Sequence, residues 1–151
     1  SVVGEGIPLI YNGQEAGSDR RLSFFDKDVI DWREHEQGVL YRRLFALKKA
    51  NRALWNGAWG APMVRVANSE ERSVLTFVRA HPADPVTGQQ EDRVFAAFNF
   101  SAREVTATLV AGPHAGDYRD VDTEQAVTLG EGAVLTLAPW SWRVLVAEPA
   151  T

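Results

Sequence analysis

The chain has no cysteine, and its single methionine is Met63. A disulfide framework and thiolate metal sites are thereby excluded, although many exported proteins also lack disulfides, so the absence fixes no compartment. Positive charge is in the minority: 16 Lys and Arg face 20 Asp and Glu, a formal net charge of −4. Neutralising a phosphate backbone needs a basic surface, so nucleic acid is not expected as a partner. No apolar run approaches the ~20 residues of a membrane-spanning helix, and no membrane partner is expected. Internal repeats and low-complexity tracts are missing too. What remains is ordinary globular chemistry, 45% hydrophobic and 24% charged over 151 residues. That allows one domain, or a small domain carrying part of another.

The chain opens on Gly6-Ile7-Pro8-Leu9-Ile10-Tyr11-Asn12-Gly13-Gln14-Glu15-Ala16-Gly17. Ile7 to Tyr11 is short, apolar and rich in β-branched and aromatic residues, which predicts a buried strand that turns at Asn12-Gly13. A buried strand needs neighbours on both sides, and nothing before it can supply one. The expectation is a chain that forms the end of a larger protein. Residues 18–31 are polar, dense in charge and long for a simple connection, as functional loops are.

Asp31-Trp32-Arg33-Glu34 has capping-box spacing, with Asp31 as cap. From about Glu34 to Leu54 the pattern is helical, with Leu40, Leu44, Leu47 and Leu54 on one stripe and Arg42, Arg43, Lys48 and Lys49 on the other side. Gly57, Gly60 and Pro62 then break it, which predicts a boundary between residues 1–56 and 57–151. Beyond Pro62 the period changes to two. Strands are predicted at Met63–Val66, Val74–Arg79, Arg93–Phe100, Glu104–Val110, Tyr118–Val121, Ala126–Leu129, Val134–Leu137 and Trp142–Val146, with an exposed hairpin tip over Ala83–Asp92. Short strands at hairpin spacing imply an antiparallel sandwich or barrel. The fold class is thus mainly β, preceded by one strand and one helix.

Gly6-Ile7-Pro8-Leu9-Ile10-Tyr11-Asn12-Gly13-Gln14-Glu15 resembles the motif at the last strand of the catalytic barrel in the α-amylase family of glycoside hydrolases, departing from it at Asn12, where Tyr is frequent. Residues 21–32, from Arg21 through Phe24-Phe25-Asp26-Lys27-Asp28 to Trp32, resemble the loop after that strand. Leu40 to Lys49 resembles the last barrel helix. Phe98-Asn99-Phe100-Ser101 and Leu137 to Leu145 resemble landmarks of the C-terminal β-sandwich. The resemblance implies the tail of a (β/α)8 retaining α-glucan hydrolase, acting on starch or maltodextrin. Its alternatives are a carbohydrate-binding sandwich or a purely structural, associating one. It also implies that the chain has no catalytic residue, because the catalytic carboxylates of the family lie on earlier strands. A retaining glycosidase needs two carboxyl groups ~5 Å apart across the scissile bond.

Active sites of parallel barrels sit at the C-terminal ends of the strands. Gln14 and Glu15 would therefore face the cleft side and orient a sugar, or else Glu15 is a structural carboxylate at the barrel mouth. Arg20 and Arg21 could bond adjacent sugar hydroxyls, or pair at the surface with Asp19 or Asp26. Asp26, Asp28 and Asp31 lack the glycine and terminal Glu of a calcium loop, so no metal and no cofactor is expected. The five tryptophans are expected in the core or between domains, with Trp140 and Trp142 on one strand face. His35, His81 and His114 have no ligand spacing and are expected at the surface. Asn99-Phe100-Ser101 formally fits a glycosylation acceptor. The partner expected is an α-glucan, reached through the parent barrel. The lone strand at Ile7–Tyr11 would promote self-association of the isolated chain.

Overall fold

The computed structural model describes residues 2–148. Nine strands follow one helix: β1 (Val64–Arg65), β2 (Ala67–Asn68), β3 (Val74–His81), β4 (Asp92–Asn99), β5 (Val105–Ala111), β6 (Gly116–Asp120), β7 (Ala126–Leu129), β8 (Val134–Leu137) and β9 (Trp142–Ala147), after α1 (Glu36–Ala50). Every pairing is antiparallel. A six-stranded sheet in the order β1-β3-β4-β9-β6-β7 faces a three-stranded sheet in the order β2-β5-β8.

Period-two patterning explains the sandwich. On β5, Val105, Ala107 and Leu109 are buried while Thr106 and Val110 are exposed, and on β8 Leu135 and Leu137 alternate with Val134 and Thr136 in the same way. The inward set meets Val78, Phe95, Tyr118 and Leu145 of the large sheet in the main core. On the outward face the hydroxyls of Thr106 and Thr136 lie 3.2 Å apart, a cross-strand pair of the kind that stabilises register.

The central strands of the large sheet are apolar on both faces. Phe77, Val94, Ala96 and Val144 point away from the main core into a second cluster, closed by Val3, Leu47 and Leu54 from the first part of the chain. The structure therefore has three layers: the helix with its following turn, the large sheet and the small sheet.

Several local expectations change. The predicted strand Ile7–Tyr11 carries no ladder pairing and no regular structure, because no segment among the described residues lies alongside it to complete its backbone hydrogen bonds. The predicted strand Met63–Val66 shrinks to β1 in the large sheet, and β2, which was not predicted, follows it in the small one. The chain crosses between the sheets at fully buried Val66, whose N–H donates to the Thr76 carbonyl at 2.9 Å. The helix is capped by His35, not Asp31: extended backbone at His35 lays its Nδ1 3.2 Å from the Gln37 N–H that it accepts. The helix stops at Asn51, whose side chain accepts from the Ala53 N–H at 3.1 Å and starts a separate 3-10 turn, Arg52–Leu54. That turn folds back under the helix. Its last carbonyl accepts from the Lys48 ammonium, so Lys48 is buried instead of solvated.

The tryptophans are corrected most. Trp32, Trp55, Trp59 and Trp140 are exposed, and only Trp142 packs against the second cluster. Trp140 has φ 55°, a left-handed turn that ends the alternation before β9 begins, so it does not share a strand face with Trp142. His114 is buried, with Nε2 3.0 Å from the Gly130 carbonyl and its own carbonyl accepting from the Tyr118 hydroxyl. Asn99 is buried as well, and its amide donates to the carbonyls of Arg103, Leu137 and Ala138, so it presents no acceptor for a glycan. The expected hairpin tip forms, closed by the bridge between Asp84 and Gln89.

Candidate functional site

The turn at Asn12-Gly13 forms and runs into a short 3-10 helix, Gln14–Ala16. Its ends are tied by the Gln14 N–H to the Tyr11 carbonyl and the Ser18 N–H to the Gly13 carbonyl, both at 3.0 Å. Gln14 and Glu15 bend back over this turn. The Gln14 side-chain oxygen accepts from the Tyr11 N–H at 2.7 Å, and a Glu15 carboxylate oxygen accepts from the Gly13 N–H at 3.0 Å. The turn is seated on α1 by close approach: a Cβ at Gly38 would stand 2.7 Å from the Glu15 carbonyl oxygen. The Arg33 Nε donates to the Ala16 carbonyl at 3.2 Å and holds the other side.

Between this turn and the start of the helix lies an open groove of about 740 Å³, lined by Glu15, Trp32, Arg33, His35 and Arg42 among others. An aromatic face beside planar charged groups suits a polyhydroxylated ligand, since sugars present both apolar faces and hydroxyl edges.

The two arginines are separated by what they bind. One terminal nitrogen of Arg20 donates to both Asp28 carboxylate oxygens at 2.9 Å, and its other terminal nitrogen donates to the Val29 carbonyl. Asp28 also accepts from the N–H groups of Ser23 and Val29 at 2.9 Å. The Ser23 N–H, followed by Arg20, holds the Asp28 carboxyl below its ordinary range. Arg20 therefore closes its own loop with Asp28, not with the nearer acids Asp19 and Asp26. Arg21 is exposed and has no ion pair among the described residues. The structure thus brings Gln14 and Glu15 into one turn and commits Arg20 elsewhere. Among the described residues, no three His, Asp or Glu side chains gather as a metal site would require.

Besides Lys48, His114 and Asn99, the buried charged groups Asp120 and Arg79 escaped the sequence reading. Asp120 is buried on β6 and meets Arg143 of β9, with 2.9 Å to Nε, and accepts from the N–H groups of Asp122 and Thr123 at 2.9 and 3.1 Å. Burial alone would raise its pKa; the backbone donors and Arg143 outweigh that and lower it. Arg79 is buried on β3, and burial lowers its pKa. A signal for it existed: period two puts residue 79 on the same face as Leu75 and Phe77, where a charge demands partners.

The fold has counterparts. A noncanonic maltogenic alpha-amylase, AmyB from Thermotoga neapolitana, superposes with a TM-score of 0.73 at 16% identity, over 95% of this chain and 33% of that one. AmyP in complex with maltose gives 0.53 at 20% identity, over 81% of this chain and 23% of that one. A variant of AmyP with maltotriose gives 0.54 at 19%. At these identities the likeness speaks for the fold alone, and the chain spans about a third or less of each of these structures. No curated protein matches it in sequence. The model of the alpha amylase C-terminal all-beta domain matches residues 65–148, the stretch that builds both sheets. The chain belongs to the α-amylase C-terminal all-β domain family.

Proposed function

We propose that this chain is the C-terminal region of a retaining α-glucan hydrolase and is not catalytic by itself. In this reading residues 1–56 supply the last strand, loop and helix of a (β/α)8 barrel, and residues 57–151 the sandwich that supports it. One observation carries the proposal. Strand-like sequence with no strand partner is exposed, Ile7 being 82% accessible and Leu9 86%, and so is Phe25 of the following loop at 93%. Monomeric proteins rarely leave such apolar surface bare, and the other staves of a barrel would cover it. Maltose and maltotriose bound to AmyP support an α-glucan as the substrate class.

Gln14 and Glu15 then mark the substrate side of the barrel, one side-chain oxygen of each capping the turn and Glu15 alone of the two lining the groove. Arg21, with no ion pair to break, is the arginine available to a sugar hydroxyl, while Arg20 shapes the loop through Asp28. The test has two arms. The isolated chain should release no reducing ends from starch or maltodextrin, and turnover by it would overturn the proposal. In the full-length protein, Arg21→Ala should raise KM for maltodextrin about threefold or more with kcat held; an unchanged KM would remove Arg21 from the substrate path.

A second reading, a carbohydrate-binding sandwich, is favoured by a different observation. Phe100 and Trp140 are both exposed at the same end of the paired strands β4 and β9, and Phe100 continues a row of parallel rings with Phe98 and Phe77 at spacings of 6.0 and 6.1 Å. Maltoheptaose at millimolar concentration should quench or shift tryptophan fluorescence if these rings hold sugar. A flat titration would dismiss that reading.

A further inference from the structure

Arg79 sits where the chain's three separate pieces meet. It is 2% accessible, on the face of the large sheet that carries the second cluster. No carboxylate lies within ion-pair distance of it among the described residues; backbone carbonyls surround it instead. Its Nε donates to Ala61 at 2.8 Å, one terminal nitrogen to Gly4 at 2.6 Å and Val3 at 3.4 Å, and the other to Trp55 at 2.9 Å. Those four acceptors belong to two segments with no strand of their own: the N-terminal lead into Ile7, and the connection between the helix and β1. A planar guanidinium with five N–H groups in a fixed fork can hold several carbonyls in different directions at once; an ammonium cannot match that geometry.

A second, independent feature fits the same point. Gly60 has ordinary extended backbone, so it is not a glycine for conformational reasons. A Cβ there would stand 1.9 Å from the Trp55 carbonyl oxygen and 2.9 Å from the Arg79 terminal nitrogen. The chain at residue 60 has to lie flat against the hydrogen bond it covers.

We infer that Arg79 is a positioning residue which, with Gly60 pressed against it, pins the N-terminal lead and the interdomain connection to the middle of β3. The placement of the Gly6–Gly17 segment is then set from inside the sandwich through one side chain. This goes beyond the proposed function and does not depend on it, since it concerns only how three parts of this chain are joined. Salt has little purchase on the pin, because every acceptor is a buried or half-buried carbonyl and not an exposed carboxylate.

Amide hydrogen exchange of this chain, read by peptide, tests the inference with two variants that break the same contact from opposite sides. Arg79→Met removes the donors, and Gly60→Ala pries the Trp55 carbonyl away while leaving the cation in place. In both, exchange over residues 2–9 and 55–61 should rise at least tenfold, while peptides covering β5 and β8 change less than twofold. Arg79→Lys should be intermediate, with protection returning to one of the two segments and not both. Should Arg79→Met fail to fold, Gly60→Ala decides. Unchanged exchange over 2–9 and 55–61, or an equal rise across β5 and β8, would overturn the inference by showing that Arg79 serves only general stability.

Discussion

Residues 2–35 and the sandwich are both rich in large apolar side chains, yet the two regions use them in opposite ways. In the first region only Val2, Val3, Gly13 and Ala16 are buried, while Ile7, Leu9, Phe24, Phe25, Val29 and Trp32 face solvent. In the second, Phe95, Leu109, Tyr118, Leu135 and Leu145 are fully or almost fully removed from water in one cluster. Hydrophobic content does not make a core. Alternation does so only where a second surface stands opposite, and in the sandwich the same chain supplies both surfaces. In the first region no such surface stands opposite among the described residues, and the apolar side chains stay in water.

The sharpest way to break the comparison is inside the main core. Phe95→Ala should cost about 3–5 kcal/mol, through lost transfer energy and the cavity left beside Tyr118, whose ring it meets edge-on at 6.4 Å. Urea unfolding followed by fluorescence would measure it. A loss below 1 kcal/mol would mean that the sandwich is as loosely committed as the N-terminal region.

A smaller effect attaches to the buried carboxylate. Asp120→Asn should cost about 2–3 kcal/mol at neutral pH, since it weakens charge-assisted hydrogen bonds to Arg143 and to two backbone donors. The sign with pH follows from the lowered folded-state pKa. The stabilisation is complete above the unfolded carboxylate value of ~3.9 and is lost as pH falls through the lower folded value. The variant should therefore flatten the acid limb of the stability curve, and parallel acid limbs in the two proteins would exclude Asp120 as its source.

The smallest effect on folding is expected in the first region. Leu9→Ser and Phe25→Ser should change stability by no more than about 0.5 kcal/mol, because neither side chain leaves water on folding of this chain. They should nevertheless reduce any self-association of the isolated chain in sedimentation velocity. A large stability loss from either would show that these residues are buried after all, and would dissolve the contrast.

Most of the sandwich was legible because each strand's inside and outside are written two residues apart. Seven of the eight predicted strands, Val74–Arg79 through Trp142–Val146, appear within about two residues of their predicted bounds. The eighth, Met63–Val66, was drawn too long and β2 after it was missed, because the sheet change at Val66 leaves no mark in the residue types. What escaped depends on neighbours distant in sequence. Lys48 looked solvated because the carbonyl that receives it belongs to a turn the helix does not continue into. Trp140 looked like a strand residue because nothing in Pro139-Trp140-Ser141 announces a left-handed backbone. For the candidate site, the adjacency of Gln14 and Glu15 could be read directly. Their engagement with their own turn, and the choice of Asp28 by Arg20 over nearer acids, could not, since local hydrogen bonding competes on geometry that residue order alone does not state.

The large sheet is apolar on both faces, and its outer cover comes from Val3, Leu47 and Leu54, all on the far side of the connection at residue 57. A gene fusion that borrowed only the sandwich would thus carry away a raw hydrophobic wall made of Phe77, Val94, Ala96 and Val144. The helix must travel with it. In this chain the piece that can be transplanted and the piece that a family alignment outlines are different lengths.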